Sequence, residues 1–236
     1  MTSSYSNQQQ LSTQLVWAGF MQLVPISMFV IAFGAAFGLA ATQANLSEAS
    51  ILAMSATVFA GASQFAAIEL WGNQVPLFTL MITVFAINAR HLVMGAALHP
   101  WLNELPSVKR YGVMAVVSDA NWAMSMQAFR LGKPGLGILL GGGLALWSFW
   151  ILGTWLGIYF GSAIQNPMSL GIDMVMGCFL LSMVIGGEKN WRIFIIWTVA
   201  ACASLLAYWY LPENSHVIVG ALAGGIVGTL GNNNEH

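Results

Sequence analysis

Between Ala60 and Pro100 an otherwise oily chain carries Gly61-Ala62-Ser63-Gln64, Glu69, Asn88 and the adjacent pair Arg90-His91. Further on, Ser118-Asp119-Ala120-Asn121 adds a carboxylate and an amide, and Gly171-Ile172-Asp173 adds a second carboxylate. These groups suit a small charged ligand. A guanidinium presents five donors in a fork that fits a carboxylate. A carboxylate fits an ammonium, and Ser and Gln both donate and accept. Their placement is expensive: a charge at the centre of a membrane helix costs roughly 2.5–3.5 kcal/mol on insertion scales unless it is paired or meets water. Gly61, Ser63, Gln64, Phe65, Asn88, Arg90, Asp119 and Asn121 are the candidate ligand-binding residues, with Phe65, Met94 or Met124 as packing for an apolar part.

An acid withdrawn from water holds its proton more tightly. Asp119, Asp173 and Glu69 are therefore candidates for coupling to proton flow, with His91, whose residue type titrates near neutrality. Each of these residues has a structural alternative. Arg90 pairs with Asp119 or snorkels to the headgroups. Gln64 bonds a neighbour at a helix crossing, Asp173 caps a helix, Glu69 sits at the interface, and His91 is hydrogen-bonded filling. No HExxH, GxSxG or P-loop occurs in a fitting context, and no nucleophile with an oriented base is legible. Cys178 and Cys202 stand in separate apolar stretches without metal spacing. No enzyme chemistry, cofactor or metal is expected.

The elements that must position these groups follow from composition. The chain has seven basic and eight acidic residues among 236, and 58% of it is hydrophobic. Soluble domains are about 25% charged, so this chain cannot clothe a water-facing surface and is read as an integral membrane protein. A net charge of -1 excludes nucleic acid as a partner on electrostatic grounds. About 20 apolar residues cross the hydrocarbon as a helix. Eight candidate spans result: Val16–Leu39, Ala49–Leu70, Pro76–Ala97, Tyr111–Phe129, Leu136–Ala163, Leu170–Gly186, Trp191–Leu211 and Val217–Leu230. An all-α bundle of seven or eight transmembrane helices is predicted. At least one is interrupted near residues 61–64, where three small residues loosen the helix; unwound backbone at that depth must be enclosed by protein or line a cavity. Residues 1–14 read as a disordered polar tail, 15–231 as a single transmembrane domain and 232–236 as a C-terminal tail.

With the N-terminus cytoplasmic, the inner loops hold Arg130, Lys133, Lys189 and Arg192 and the outer ones Lys109 and Arg110, in keeping with the positive-inside rule. A re-entrant second or last segment would alter that parity. Glycines recur every fourth position at Gly34/Gly38, Gly137/Gly141, Gly153/Gly157/Gly161 and Gly220/Gly224/Gly228. Such stripes admit a close backbone, either inside the bundle or from a separate membrane subunit. Phe37-Gly38 with Gln43 and Asn45 is echoed by Phe160-Gly161 with Gln165 and Asn166. An internal duplication is an open alternative, and in duplicated carriers the interrupted segments mark the binding site.

Phe59-Ala60-Gly61-Ala62-Ser63-Gln64-Phe65-Ala66, followed by Asn88-Ala89-Arg90-His91-Leu92 with Gly95-Ala96 and Pro100, resembles the signature of the AzlC family. That family supplies the large subunit of bacterial branched-chain amino acid exporters (the BrnF/YgaZ type). Leu170-Gly171-Ile172-Asp173 after Pro167 resembles the family's Gly-Leu-Asp element, and the likeness runs over nearly the whole chain. The resemblance implies a bacterial cytoplasmic-membrane exporter of valine, leucine, isoleucine and methionine. It also implies a small AzlD-type membrane subunit as partner. One departure stands out: the family usually shows an Asp-Glu pair in the fourth span, where this chain has Asp119-Ala120. The expected activity is proton-coupled export of branched-chain amino acids from the lipid bilayer's inner side. The alternative is a non-transporting channel or scaffold subunit whose polar residues only hold helices together.

Overall fold

The computed structural model describes residues 11–72, 75–161, 190–211 and 215–230. Among them every regular element is helical: α1 (Thr13–Gln43), α2 (Glu48–Val58), α3 (Gly61–Glu69), α4 (Leu77–Asn88), α5 (Arg90–Leu102), α6 (Ser107–Met114), α7 (Asp119–Arg130), a π-helical turn (Ile138–Gly142) that leads into α8 (Gly143–Gly161), α9 (Trp191–Tyr210) and α10 (Ser215–Leu230). Among the described residues four units are long and apolar enough to cross a membrane: α1, α4 with α5, the π turn with α8, and α9. The second and fourth expected spans are broken into the pairs α2/α3 and α6/α7. The sixth, with Asp173, lies outside the described residues.

The bundle is built on α1 and α8. The Ser12 side chain starts α1 by accepting the Leu15 amide at 3.3 Å, and the helix runs 31 residues through Pro25. Its glycines, and Gly141, Gly153 and Gly157 of the π turn and α8, each lie against the backbone of the opposite helix. A Cβ on Gly141 would overlap the Val16 carbonyl, one on Gly157 the Ala35 carbonyl, and one on Gly38 the Thr154 carbonyl. These stripes are thus spent on internal packing, as small residues in a bilayer allow. Gly220 and Gly224 of α10 likewise approach Ser204 and Ala200 of α9. Partners rise together along the two helices, Leu15 beside Gly137, Ile31 beside Gly153 and Ala35 beside Gly157, so α1 and α8 run parallel. Parallel helices require an odd number of crossings between them, and the pair α2/α3, the unit α4 with α5 and the pair α6/α7 make three.

The two breaks differ in kind. At the first, Phe59 lies in the left-handed region with φ 40° and ψ 46°. For a non-glycine residue this costs about 1–2 kcal/mol. The unwound pair is Phe59-Ala60; Gly61–Gln64, where the sequence places the loosening, form the first turn of the second half-helix. The end of α2 is repaired from across the bundle: the indole of Trp147 donates to the Ala56 carbonyl at 3.0 Å. At the second, α6 stops at Met114 and α7 restarts at Asp119. The continuous span expected over Tyr111–Phe129 is interrupted there by a polar cap inside an apolar run. Asn121 takes the Ser118 backbone N–H at 2.7 Å and its hydroxyl at 3.0 Å.

Candidate functional site

Both breaks open onto one cavity of about 740 Å³. Phe59, Ala60, Gly61 and Ala62 border it from the first break, Ser118, Asp119 and Ala120 from the second, and Arg90 and His91 from the start of α5. The rest of the wall is apolar. It comes from α1 (Ile26, Val30, Phe33), from α5 (Met94), from α7 (Trp122, Met124) and from α8 (Leu146, Trp150).

Its charged centre is a single ion pair: Arg90 Nη1 stands 2.9 Å from Asp119 Oδ2, with the two side chains 39% and 30% exposed. Each member is set by its helix. Asp119 is the first residue of α7, where the helix dipole favours a negative charge. Arg90 opens α5 just after Ala89, whose φ of −55° and ψ of −27° keep the backbone helical between α4 and α5. His91 holds the same joint. Its Nδ1 lies 3.2 Å from the Asn88 carbonyl, so Nδ1 donates and Nε2 is directed elsewhere. The first turn of α3 has no side-chain cap, so its leading N–H groups and positive dipole end are unspent at the cavity rim.

Of the residues singled out in the sequence, Gly61, Arg90, His91, Asp119, Met94 and Met124 meet at this cavity. Others do not line it. Gln64 is fully buried and its amide donates to Ser55 Oγ at 3.4 Å. The Ser55 hydroxyl lies 2.9 Å from Thr154 Oγ1, and Thr154 donates to the Trp150 carbonyl. This chain ties the broken helix to α8. Ser63 is buried beside it, its hydroxyl without a partner. Asn121 is also fully buried. Besides holding Ser118, its amide donates to the carbonyls of Val116 at 3.0 Å and Leu139 at 2.6 Å. The Leu139 carbonyl also accepts the Gly143 N–H, and Asn121 joins the second break to the π turn that leads into α8. Asn88 sits behind Arg90, with its side-chain oxygen buried and unpaired. Phe65 lies under the floor, stacked on Phe33 at 5.2 Å and edge-on to Phe37 at 5.7 Å. Glu69 is exposed at the far end of α3, about 12 Å of helix rise from Gly61.

The wall residues that the sequence did not disclose are Phe59, Ser118, Trp122 and the contributions of α1 and α8. Ser118 carried a signal, since Ser-Asp before an apolar run is a helix-start pattern. The α1 and α8 positions carried none, because only the glycine packing brings them to the site.

The model of the AzlC protein family matches residues 25–164, which include both breaks and the whole cavity wall. The chain is 31% identical over 213 residues to an uncharacterized membrane protein of Archaeoglobus fulgidus, covering 90% of this chain and 91% of that one. It is 26% identical over 176 residues to the inner membrane protein YgaZ of Escherichia coli K12, covering 70% and 71%. No solved structure matches.

Proposed function

The chain belongs to the AzlC family of membrane proteins, and from that premise we propose that it is a secondary transporter exporting branched-chain amino acids across the cytoplasmic membrane. The observation that carries this reading is the Arg90–Asp119 pair at 2.9 Å set in an otherwise apolar cavity. Such a cavity offers opposite charges to the two ends of an amino acid and hydrocarbon to its side chain. In this reading the carboxylate is held by Arg90 and the free N–H groups of Gly61 and Ala62. The ammonium meets Asp119. The aliphatic side chain rests against Val30, Met94, Met124 and Leu146. Two interrupted helices meeting at one site is the arrangement by which carriers expose backbone to substrate. Valine, leucine and isoleucine, with methionine, are the substrates of the resemblance, and their side chains suit this wall. Asp119 is the proposed proton-coupling residue, because it is the acid that lines the cavity. A small AzlD-type membrane subunit is the proposed partner, and the N-terminus is placed on the cytoplasmic side.

The test is efflux of valine from loaded cells that express the chain with its small subunit. Arg90→Gln and Asp119→Asn should each abolish export at wild-type membrane levels. Wild-type efflux from both variants would remove the pair from the site. The scaffold reading draws its support from Gln64 and Asn121, whose side chains bond helices together; it predicts no saturable binding of any amino acid.

A further inference from the structure

We infer that the cavity binds aromatic amino acids, phenylalanine foremost, as well as branched-chain ones, with Phe59 and Trp122 as the rings they meet. The inference rests on reading the cavity as the substrate site, and it follows from the cavity's size and from the state of its rings. A cavity of about 150 Å³ holds one benzene, with six non-hydrogen atoms. At that packing leucine, with nine, needs roughly 225 Å³, and phenylalanine, with twelve, roughly 300 Å³. The cavity measures about 740 Å³, so leucine fills roughly a third of it. Size gives no ground for rejecting the larger side chain.

Four aromatic rings border this space: Phe33, Phe59, Trp122 and Trp150. Phe33 and Trp150 are buried and already spent on other rings. They meet each other at 5.3 Å, and Phe33 stacks on Phe65 and Trp150 on Phe37. Phe59 and Trp122 are only partly buried, and among the described residues neither meets another ring. An aliphatic ligand leaves that ring surface with hydrocarbon contact alone, whereas an aromatic one adds the ring-to-ring attraction. Both rings are also placed for contact. Trp122 follows Asp119 by three positions on α7, which puts the two on one face of the helix. An amino acid whose ammonium meets Asp119 thus carries its side chain along Trp122. Phe59 is held in the left-handed region at φ 40°, where glycine is the unstrained choice. What phenylalanine adds there is its ring, which packs against the core of Leu23 and Leu146 and also borders the cavity.

The test titrates the purified full-length chain in detergent with leucine and with phenylalanine, and repeats both on Trp122→Leu. Phenylalanine should bind within about threefold of leucine or more tightly, since one ring pair adds roughly two- to tenfold. In Trp122→Leu the phenylalanine affinity should fall roughly two- to tenfold further than the leucine affinity. If leucine binds and phenylalanine is weaker by more than about threefold, the cavity rejects aromatic side chains and the inference falls, while the branched-chain reading stands. If phenylalanine binds and leucine does not, the inference holds and the branched-chain assignment falls. If neither binds, both fall. Equal losses for the two ligands in Trp122→Leu would overturn the role given to its ring, and the wild-type comparison decides the ligand class by itself.

Discussion

Arg90 and Asp119 lie 29 positions apart in the chain and 2.9 Å apart in space, each as the first residue of a helix that begins inside the bundle. Neither helix begins there by accident of composition. Asp119 follows the Ser118 cap that Asn121 holds, and Arg90 follows a joint that His91 ties to Asn88. Asp119 is therefore positioned by a helix start, and Arg90 by the helical joint at Ala89 within the span Leu77–Leu102. Each charge also makes the other tolerable at membrane depth.

Neutralising one partner leaves the other charge alone in an apolar wall. Asp119→Asn should lower the yield of folded protein in the membrane, and the double variant Arg90→Gln/Asp119→Asn should restore it. Export should recover in neither. The loss expected is at least about tenfold, the factor that one hydrogen bond to a charged group supplies. Size-exclusion profiles of the two variants and the wild type check the first statement and efflux the second. A double variant that folds no better than Asp119→Asn would show that the two charges do not compensate each other.

Much of this site was legible before the fold was known, and the misplacements have physical reasons. Arg90 and Asp119 stood out as costly charges, and their pairing was the simplest way to offset that cost. Asn121 shares a short polar stretch with Asp119, but residues two apart on a helix point about 200° apart; Asp119 faces the cavity and Asn121 the π turn. The same geometry separates Asn88 from Arg90. The sequence points to loosening at Gly61–Gln64, since glycine marks weak helix. The residue that unwinds is Phe59, whose left-handed backbone no propensity announces. The second break was hidden by counting apolar residues across Tyr111–Phe129, which passes over a good cap. The α1 and α8 walls are tertiary facts, fixed by glycine contacts 122 positions apart (Leu15 with Gly137, Ile31 with Gly153).

Those contacts make a sharp contrast among glycines. Gly141→Ala would set a methyl into the Val16 carbonyl, a backbone atom that cannot rotate away. Overpacking of this kind costs typically 1–3 kcal/mol, so the variant should melt well below wild type in detergent. Gly112, inside α6, has nothing within 4 Å of an added Cβ. Gly112→Ala should hold or raise the melting temperature, by up to about 1 kcal/mol of helix propensity. Equal behaviour of the two would contradict the parallel packing of α1 on α8.

The Gln64–Ser55–Thr154 chain should contribute to stability and not to ligand affinity. Thr154 spends its proton on the Trp150 carbonyl at 2.9 Å, so Ser55 donates to Thr154 and Gln64 donates to Ser55. A double-mutant cycle with Ser55→Ala and Thr154→Val should give a coupling of about 0.6 kcal/mol, the usual size for an interhelical hydrogen bond in a membrane. Apparent affinity for leucine should be unchanged in all three variants. A coupling near zero would mean that α2 is held to α8 by packing and the Trp147–Ala56 bond alone.

Asn121 offers the cleanest separation of positioning from contact. It is fully buried, lies off the cavity wall, and spends its side chain on Ser118, Val116 and Leu139. Asn121→Ala removes the side-chain donor to the Val116 carbonyl and the acceptor of the Ser118 N–H, while Leu139 keeps the Gly143 N–H, for roughly 1–3 kcal/mol for each group left unsatisfied. Asn121→Asp is worse in kind, because a carboxylate oxygen would face the carbonyls of Val116 and Leu139 where an N–H now donates. Both changes free Asp119 to drift from Arg90, so apparent leucine affinity should fall along with stability. Ser125→Ala supplies the control: that hydroxyl donates to the Asn121 backbone carbonyl within the same helix, and its loss should lower stability slightly with affinity intact. Binding titrations and melting curves on the three proteins decide the matter. Wild-type affinity in a destabilised Asn121→Ala would show that α7 holds Asp119 in place without this side chain.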